Sequence, residues 1–249
     1  YNIPLHKGPM KMSEHIGRFV LCCTLLLSVS SAAQQELVQS DSIKGGPSVL
    51  IELDGDSYHL DMFEVTNEEY ALFLNERGNI QEEGVYWVEL RSRFALIEEN
   101  EGIFAAKDSF ETHPVVEVSW HGARAYCEWA GKRLPTQREW RYACEGSEEL
   151  KYPWGEVFEQ GYANIYGHKY DGYVRTSPVG TFPEGASPFG IMDMAGNVWE
   201  WTQSEGDLQF IRGGSWVNGN TLAQCDKRSN TTDAHSYVKG NTLGFRCAH

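Results

Sequence analysis

The sequence has no cluster of lysine or arginine, no internal repeat, no low-complexity tract and no apolar run long enough to cross a bilayer comfortably. With 21 basic against 35 acidic residues and a formal charge of −14, it offers no basic face to nucleic acid. That acidic balance suits a cation better, and otherwise serves solubility. A glycine loop for phosphate and a strained nucleophile elbow are both missing. Past residue 33 the histidines are His59, His113, His121, His168, His235 and His249, with no pair at helical ligand spacing.

What is present is enough to bury one sizeable core: 249 residues, 41% hydrophobic, 12% aromatic and 22% charged. Twenty-five glycines beside 8 tryptophans and 12 tyrosines predict a turn-rich fold with little regular secondary structure. Residues 1–33 read as upstream residues followed by a signal peptide. Arg18 precedes the apolar run from Phe19 to Val29, and Ser31-Ala32-Ala33 supplies small residues for cleavage. Residues 34–47 are a polar, flexible leader, and residues 48–249 form the folded domain. No lipobox precedes the expected cleavage point, so release is expected rather than lipid anchoring. Removing residues 1–33 leaves Cys127, Cys144, Cys225 and Cys247. In an exported chain these form two disulfides, with three connectivities open.

Local patterns predict a hairpin from Val49–Leu53 and Tyr58–Phe63 around Asp54-Gly55. A helix starts after the capping box Thr66-Asn67-Glu68-Glu69 and stops at Gly78. Strands are expected around Tyr86–Leu90 and Ile103–Ala106. A second helix runs about Trp120–Ala130 behind Ser119, with Trp120, Ala123, Cys127 and Ala130 on one buried stripe. A third begins at the capping box Thr136-x-x-Glu139 and ends near Gly146. Beyond residue 150 helical periodicity disappears and Gly, Pro, Asn and Trp recur every few residues.

Several blocks in that order carry a specific resemblance. They are Phe63-Glu64-Val65-Thr66-Asn67-Glu68-Glu69-Tyr70, Pro114-Val115-Val116-Glu117-Val118-Ser119-Trp120, and the run from Ala125 to Thr136 containing Gly131-Lys132-Arg133-Leu134-Pro135. Then follow Tyr152-Pro153-Trp154-Gly155, Gly196-Asn197-Val198-Trp199-Glu200-Trp201-Thr202, Arg212-Gly213-Gly214-Ser215-Trp216 and Gly244-Phe245-Arg246-Cys247. Over residues 48–248 the chain resembles the formylglycine-generating enzyme (sulfatase-modifying factor) family. The resemblance implies an α+β, modified C-type-lectin-like fold with low regular secondary structure. It also implies the pairings Cys127–Cys247 and Cys144–Cys225.

Two calcium sites are implied as well. One would use Asn164, Asp171 and the carbonyls of Ile165 and Tyr173; the other would use Asp193, Glu200 and the carbonyls of Gly196 and Val198. Hard cations take oxygen ligands of this kind. The family's active oxidases hold copper(I) on two further cysteines after Gly-Gly-Ser, soft ligands suited to that ion. Here Asn218 stands at the first position and no cysteine stands at the second, so no copper site and no catalytic residue is assigned. The family's iron-dependent members need several histidine ligands, which this pattern does not supply. Ser215, Trp216, Asn218 and Arg228 remain as candidates to line a ligand groove.

The expected function is therefore that of an exported domain, silent for formylglycine formation, binding a protein or peptide such as a sulfatase or an active family member. Two alternatives stand beside it: an oxidoreductase acting on a substrate cysteine or running another oxidation in the same groove, and a structural domain of a larger assembly. Calcium is the expected cofactor; nucleic acid and a membrane span in the mature chain are not expected. The compartment is secreted, periplasmic or the endoplasmic-reticulum lumen.

Overall fold

Regular structure in the computed structural model, which describes residues 44–166, 172–203, 208–229 and 239–249, comes in short pieces joined by long irregular runs. Strands β1 (Ser48–Leu53) and β2 (Asp56–Asp61) pair antiparallel, with Leu53 opposite Asp56 across the Asp54-Gly55 turn. Both turn residues have positive φ, as a two-residue hairpin matching strand twist requires. The second strand stops before Phe63 because the chain turns away, and Val65 donates its N–H to the Phe245 carbonyl at 2.9 Å.

Helix α1 (Asn67–Arg77) starts at the expected capping box. Thr66 accepts from the Glu69 N–H, and Glu69 accepts from the Thr66 N–H at 2.9 Å. Ser119 caps α2 (Trp120–Trp129) by accepting from the Gly122 N–H at 3.1 Å, and a second capping box opens α3 (Gln137–Glu145). Residues 79–112 depart from expectation. Strands β3 (Gln81–Glu82) and β4 (Val85–Tyr86) make a minimal ribbon, and the strand expected to run on to Leu90 ends at Tyr86. Beyond it Val88 forms only an isolated antiparallel bridge with Val118, and the Asn79 side chain takes both backbone groups of Val88, at 2.9 and 3.1 Å, on the other side. Strand β6 (Ile103–Ala106) lies where expected, paired with β5 (Ile97–Asn100), whose acidic run hid it from pattern reading. A three-stranded sheet of β7 (Trp199–Trp201), β8 (Ile211–Arg212) and β9 (Leu243–Gly244) has β7 at its centre, antiparallel to β8 and parallel to β9.

The main core lies between α1, α2 and this sheet. Tyr126 meets Phe245 edge-on at 5.4 Å, Tyr70 stacks on Tyr126 at 5.6 Å, and Phe73 stacks on Trp87 at 5.0 Å. Aromatic packing of this kind compensates for the scarcity of ladder hydrogen bonds. Trp140 and Trp201 are fully buried, whereas Trp120 and Trp129 pack partly exposed at the core's margin. Among the described residues, no helix is long and apolar enough to cross a membrane.

Of the three possible cysteine connectivities, the structure has Cys127–Cys247 and Cys144–Cys225, each with Cα atoms 5.6 Å apart. The first ties α2 to the C-terminal segment, whose Ala248 bridges both Leu60 and Arg133. Beneath that bridge the Lys132 ammonium meets the Asp61 carboxylate, both buried. Burial, outweighing Lys132, pushes the Asp61 carboxyl up to about 6. Replacing Lys132 by Met strands a buried carboxylate and is expected to cost about 3–5 kcal/mol. Replacing Cys127 and Cys247 together by Ala frees a loop of sequence separation 120, for about 2–5 kcal/mol. Urea unfolding midpoints check both, and an unshifted midpoint for either variant refutes the role given to that pair.

Candidate functional site

The Gly-Asn-Val-Trp-Glu-Trp block leads into the central strand β7 through a loop with three left-handed residues. Asp193, Gly196 and Asn197 all have positive φ, at 60°, 88° and 55°. Gly196 is required on two counts: its φ, and a Cβ that would lie 2.3 Å from the Asn164 carbonyl oxygen. This close approach lets the Asn197 N–H donate to the same carbonyl at 2.8 Å. Residues 164–165 and 193–198 are thereby joined, bringing parts of both candidate calcium sets side by side.

Asn197 organises what surrounds it. Its side-chain amide donates to Glu64 at 2.6 Å and accepts from the Ser177 N–H at 3.0 Å, and its carbonyl accepts from the Trp216 N–H at 3.0 Å. Glu200 is fully buried on β7, where Arg246 holds it bidentately with two bonds of 2.7 Å. The Trp140 indole adds a third bond at 2.8 Å. Arg246 spends its remaining donors on the carbonyls of Asp61, Met62 and Met192. Asp193 accepts from the Gly180 N–H at 2.6 Å.

This pocket is electrostatically unbalanced. Glu64, Asp193 and Glu200 are buried around a single guanidinium. Burial, reinforced by Asp193 and Glu200, pushes the Glu64 carboxyl well above its ordinary range. Burial first and Glu200 second push Asp193 up to about 6. A divalent cation would correct the imbalance, and the donors of the second calcium set are the all-oxygen kind it takes. Within that set, Asp193 and the carbonyls of Gly196 and Val198 are oxygen donors of that kind, whereas both Glu200 oxygens are engaged by Arg246 and Trp140. Among the described residues no three His, Cys, Asp or Glu side chains converge on one metal position, so backbone carbonyls would have to supply much of the shell. In the first set, Asp171 lies outside the described residues. Asn164 there uses its side-chain amide to hold the Arg175 carbonyl at 2.7 Å.

The groove candidates separate into two places. Ser215, Trp216 and Asn218 share one turn, in which the buried Ser215 hydroxyl bonds Asn218 Oδ1 at 2.7 Å and the Asn218 N–H returns to the Ser215 carbonyl at 2.8 Å. Trp216 is half-buried and donates its indole N–H to the Asn241 carbonyl. Exposed Tyr166 and Val217 flank the turn, with the Tyr166 N–H bonded to the Asn218 carbonyl. Arg228 lies instead beside β8, over the Phe210 ring at 4.8 Å. Asn218 and Trp216 therefore present more to a ligand than Ser215 does.

Sequence reading quoted Glu64, Asn197 and Arg246 inside their blocks without giving them a role in the site. Their only signal was occurrence in those blocks, since their partners lie up to 185 positions away. Replacing Arg246 by Met leaves Glu200 buried and uncompensated. A loss of about 3 kcal/mol or more is expected, read as a fall in melting temperature. Arg246→Lys is expected to recover only part of it, having no planar fork to offer both oxygens. Full recovery by Lys would show that charge alone, without the fork, holds the pocket.

Comparison with known proteins places these features. Residues 27–249 match the Sulfatase-modifying factor enzyme 1-like domain. Serine/threonine-protein kinase pkn1 of Chlamydia caviae is 34% identical over 215 residues, covering 77% of this chain and 33% of the kinase. Inactive C-alpha-formylglycine-generating enzyme 2 of Bos taurus is 42% identical over 154 residues, covering 54% of this chain and 50% of that protein. The formylglycine-generating enzyme of Mus musculus is 31% identical over 252 residues, covering 78% and 66% respectively. The chain thus spans a third to a half of the length of the first two relatives. Among solved structures, PvdO from Pseudomonas aeruginosa superposes with a TM-score of 0.59 at 23% identity, covering 82% of this chain and 90% of PvdO. Treponema denticola variable protein 1 gives 0.58 at 18% identity, covering 83% and 92%; both likenesses concern the fold.

Proposed function

Because the chain belongs to the sulfatase-modifying factor enzyme 1-like family, with the α+β, C-type-lectin-like architecture that its fold neighbours share, we propose that it is an exported member silent for formylglycine formation. Its role in this reading is to bind a protein or peptide at the turn carrying Trp216 and Asn218, with Arg228 apart from it beside β8. The observation that carries the proposal is the state of its sulfur. All four cysteines of the described domain stand in disulfides, and Asn218, where the resemblance expects the first copper ligand, is bonded to Ser215. A copper(I) centre of the family type needs two thiolates, and this surface has none to give. The Bos taurus relative is inactive by name, and the same description suits this chain. Kinase chemistry is not carried over from the Chlamydia relative, of which this chain covers only 33%. Export is supported by the two disulfides, which persist in oxidising compartments.

Calcium is proposed as a structural ion, held by Asp193 with the carbonyls of Gly196 and Val198, and by Asn164 and Asp171 with the carbonyls of Ile165 and Tyr173. Glu200 adds negative charge to the first of these pockets while its oxygens stay with Arg246. The ion would supply the missing positive charge and tie together loops that have few ladder bonds.

Two measurements test this reading. Purified protein loaded with copper(I) is incubated under oxygen with a Cys-x-Pro-x-Arg peptide, and mass spectrometry is expected to show the cysteine unchanged. Conversion to the aldehyde would overturn catalytic silence. Separately, removing calcium with a chelator is expected to lower the melting temperature by several degrees or more, and an identical melt would remove calcium from the account.

A further inference from the structure

The ribbon β5–β6 has one edge closed and one open, and its hydrogen-bond phase identifies what the open edge offers. In an antiparallel pair, opposed residues alternate between exchanging backbone bonds and turning those groups outward. Lys107 donates its N–H to the Leu96 carbonyl at 2.8 Å, so that pair faces inward. The pairs Ile97 with Ala106 and Glu99 with Phe104 therefore turn outward. Phe104 corroborates the phase: its N–H donates to Asn75 Oδ1 at 2.9 Å, and its carbonyl accepts from Asn75 Nδ2 at 2.7 Å. A side chain of α1 thus finishes the β6 edge as another strand would. Asn79 does the same for Val88 across the way.

Strand β5 has no such cap. The outward N–H and C=O groups of Ile97 and Glu99 find no partner among the described residues. They border a cleft of about 760 Å3 whose other side includes Val88, Glu89, Leu90 and Arg91. Buried Val88, Ile97 and Phe104 give the cleft an apolar floor. Glu98 and Glu99 line it with carboxylates, and Glu89, which meets the Lys239 ammonium at 3.4 Å, stands opposite. Of its two cationic side chains, Lys107 already spends its ammonium on the Ala95 carbonyl at 2.7 Å, which leaves Arg91.

We propose that β5 is a docking strand to which an extended, lysine- or arginine-bearing peptide segment adds as a third strand. Backbone bonds to Ile97 and Glu99 would set its register, alternate residues would meet the apolar floor, and its cations would face the glutamates. The acidic edge selects this occupant over a second copy of the chain, because two β5 edges would oppose like charges. The site is separate from the turn carrying Trp216 and Asn218 and does not depend on the function proposed for that turn.

The test titrates the full protein into a fluorescein-labelled peptide of alternating lysine and valine, read by fluorescence anisotropy. A second peptide has the same side chains but is N-methylated at alternate residues, which keeps its charge and removes strand bonds. The unmethylated peptide is expected to bind about ten-fold more tightly or better, the equivalent of one or two backbone hydrogen bonds. Glu99→Pro, which deletes an outward N–H and leaves the ladder to β6 intact, is expected to weaken its binding by a similar factor with an unchanged melt. Equal binding of the two peptides would reduce the cleft to a charged surface and overturn the proposal; so would failure of the unmethylated peptide to bind. Should the proline variant not fold, the two peptides on the unaltered protein decide the matter alone.

Discussion

The Glu200–Arg246 pair, sealed from solvent, is the contact on which the rest of the architecture turns. Glu200 sits on the central strand β7 and Arg246 two residues beyond β9, so their bidentate bond fixes the sheet from within. The other guanidinium bonds reach the carbonyls that end β2 and those before the left-handed loop. One side chain therefore holds the hairpin, the sheet and the candidate cation loop in a common frame. Such a buried ion pair is seldom the most stable way to fill a space. What it gives here is position: several chain segments with little regular structure share one rigid reference point.

The Asn197 network carries that reference outward. Glu64, Ser177, Asn164 and Trp216 all bond to one asparagine. The surface turn at residues 215–218 is thus two hydrogen bonds from the buried acidic pocket. Any change in the charge of that pocket acts on the backbone that carries that turn. None of these residues is a thiol, so the frame does not depend on cysteine chemistry.

Much of the fold was legible because its signals are local. Thr66 with Glu69 and Thr136 with Glu139 announce helices within four residues, and Asp54-Gly55 announces a hairpin. The cysteine pairing was legible only through resemblance, because spacing alone left three arrangements. Strand β5 escaped because Glu98, Glu99 and Asn100 lack the alternation that marks a half-buried strand, and only Ile97 turns inward. The strand expected through Leu90 shrinks to a single bridge between Val88 and Val118, whose other edge is closed by Asn79, nine residues earlier, in a way no periodicity reveals. Glu64 was hidden as a site residue because its partners, Asn197 and Val198, lie more than 130 positions on.

The closing stretch of chain has a consequence for synthesis and assembly. Residues 243–249 supply the strand beside β7, the arginine for Glu200, the half-cystine for α2 and the bridge joining Leu60 to Arg133. An emerging polypeptide can form its capped helices and first hairpin early, yet its core has no centre until those residues are available. Such long-range closure slows folding and prolongs the exposure of aromatic surface, so the nascent domain depends on being kept from aggregation until its last strand arrives. Loss of residues 243–249 would remove the keystone, leaving earlier elements that had formed correctly without anything to assemble around.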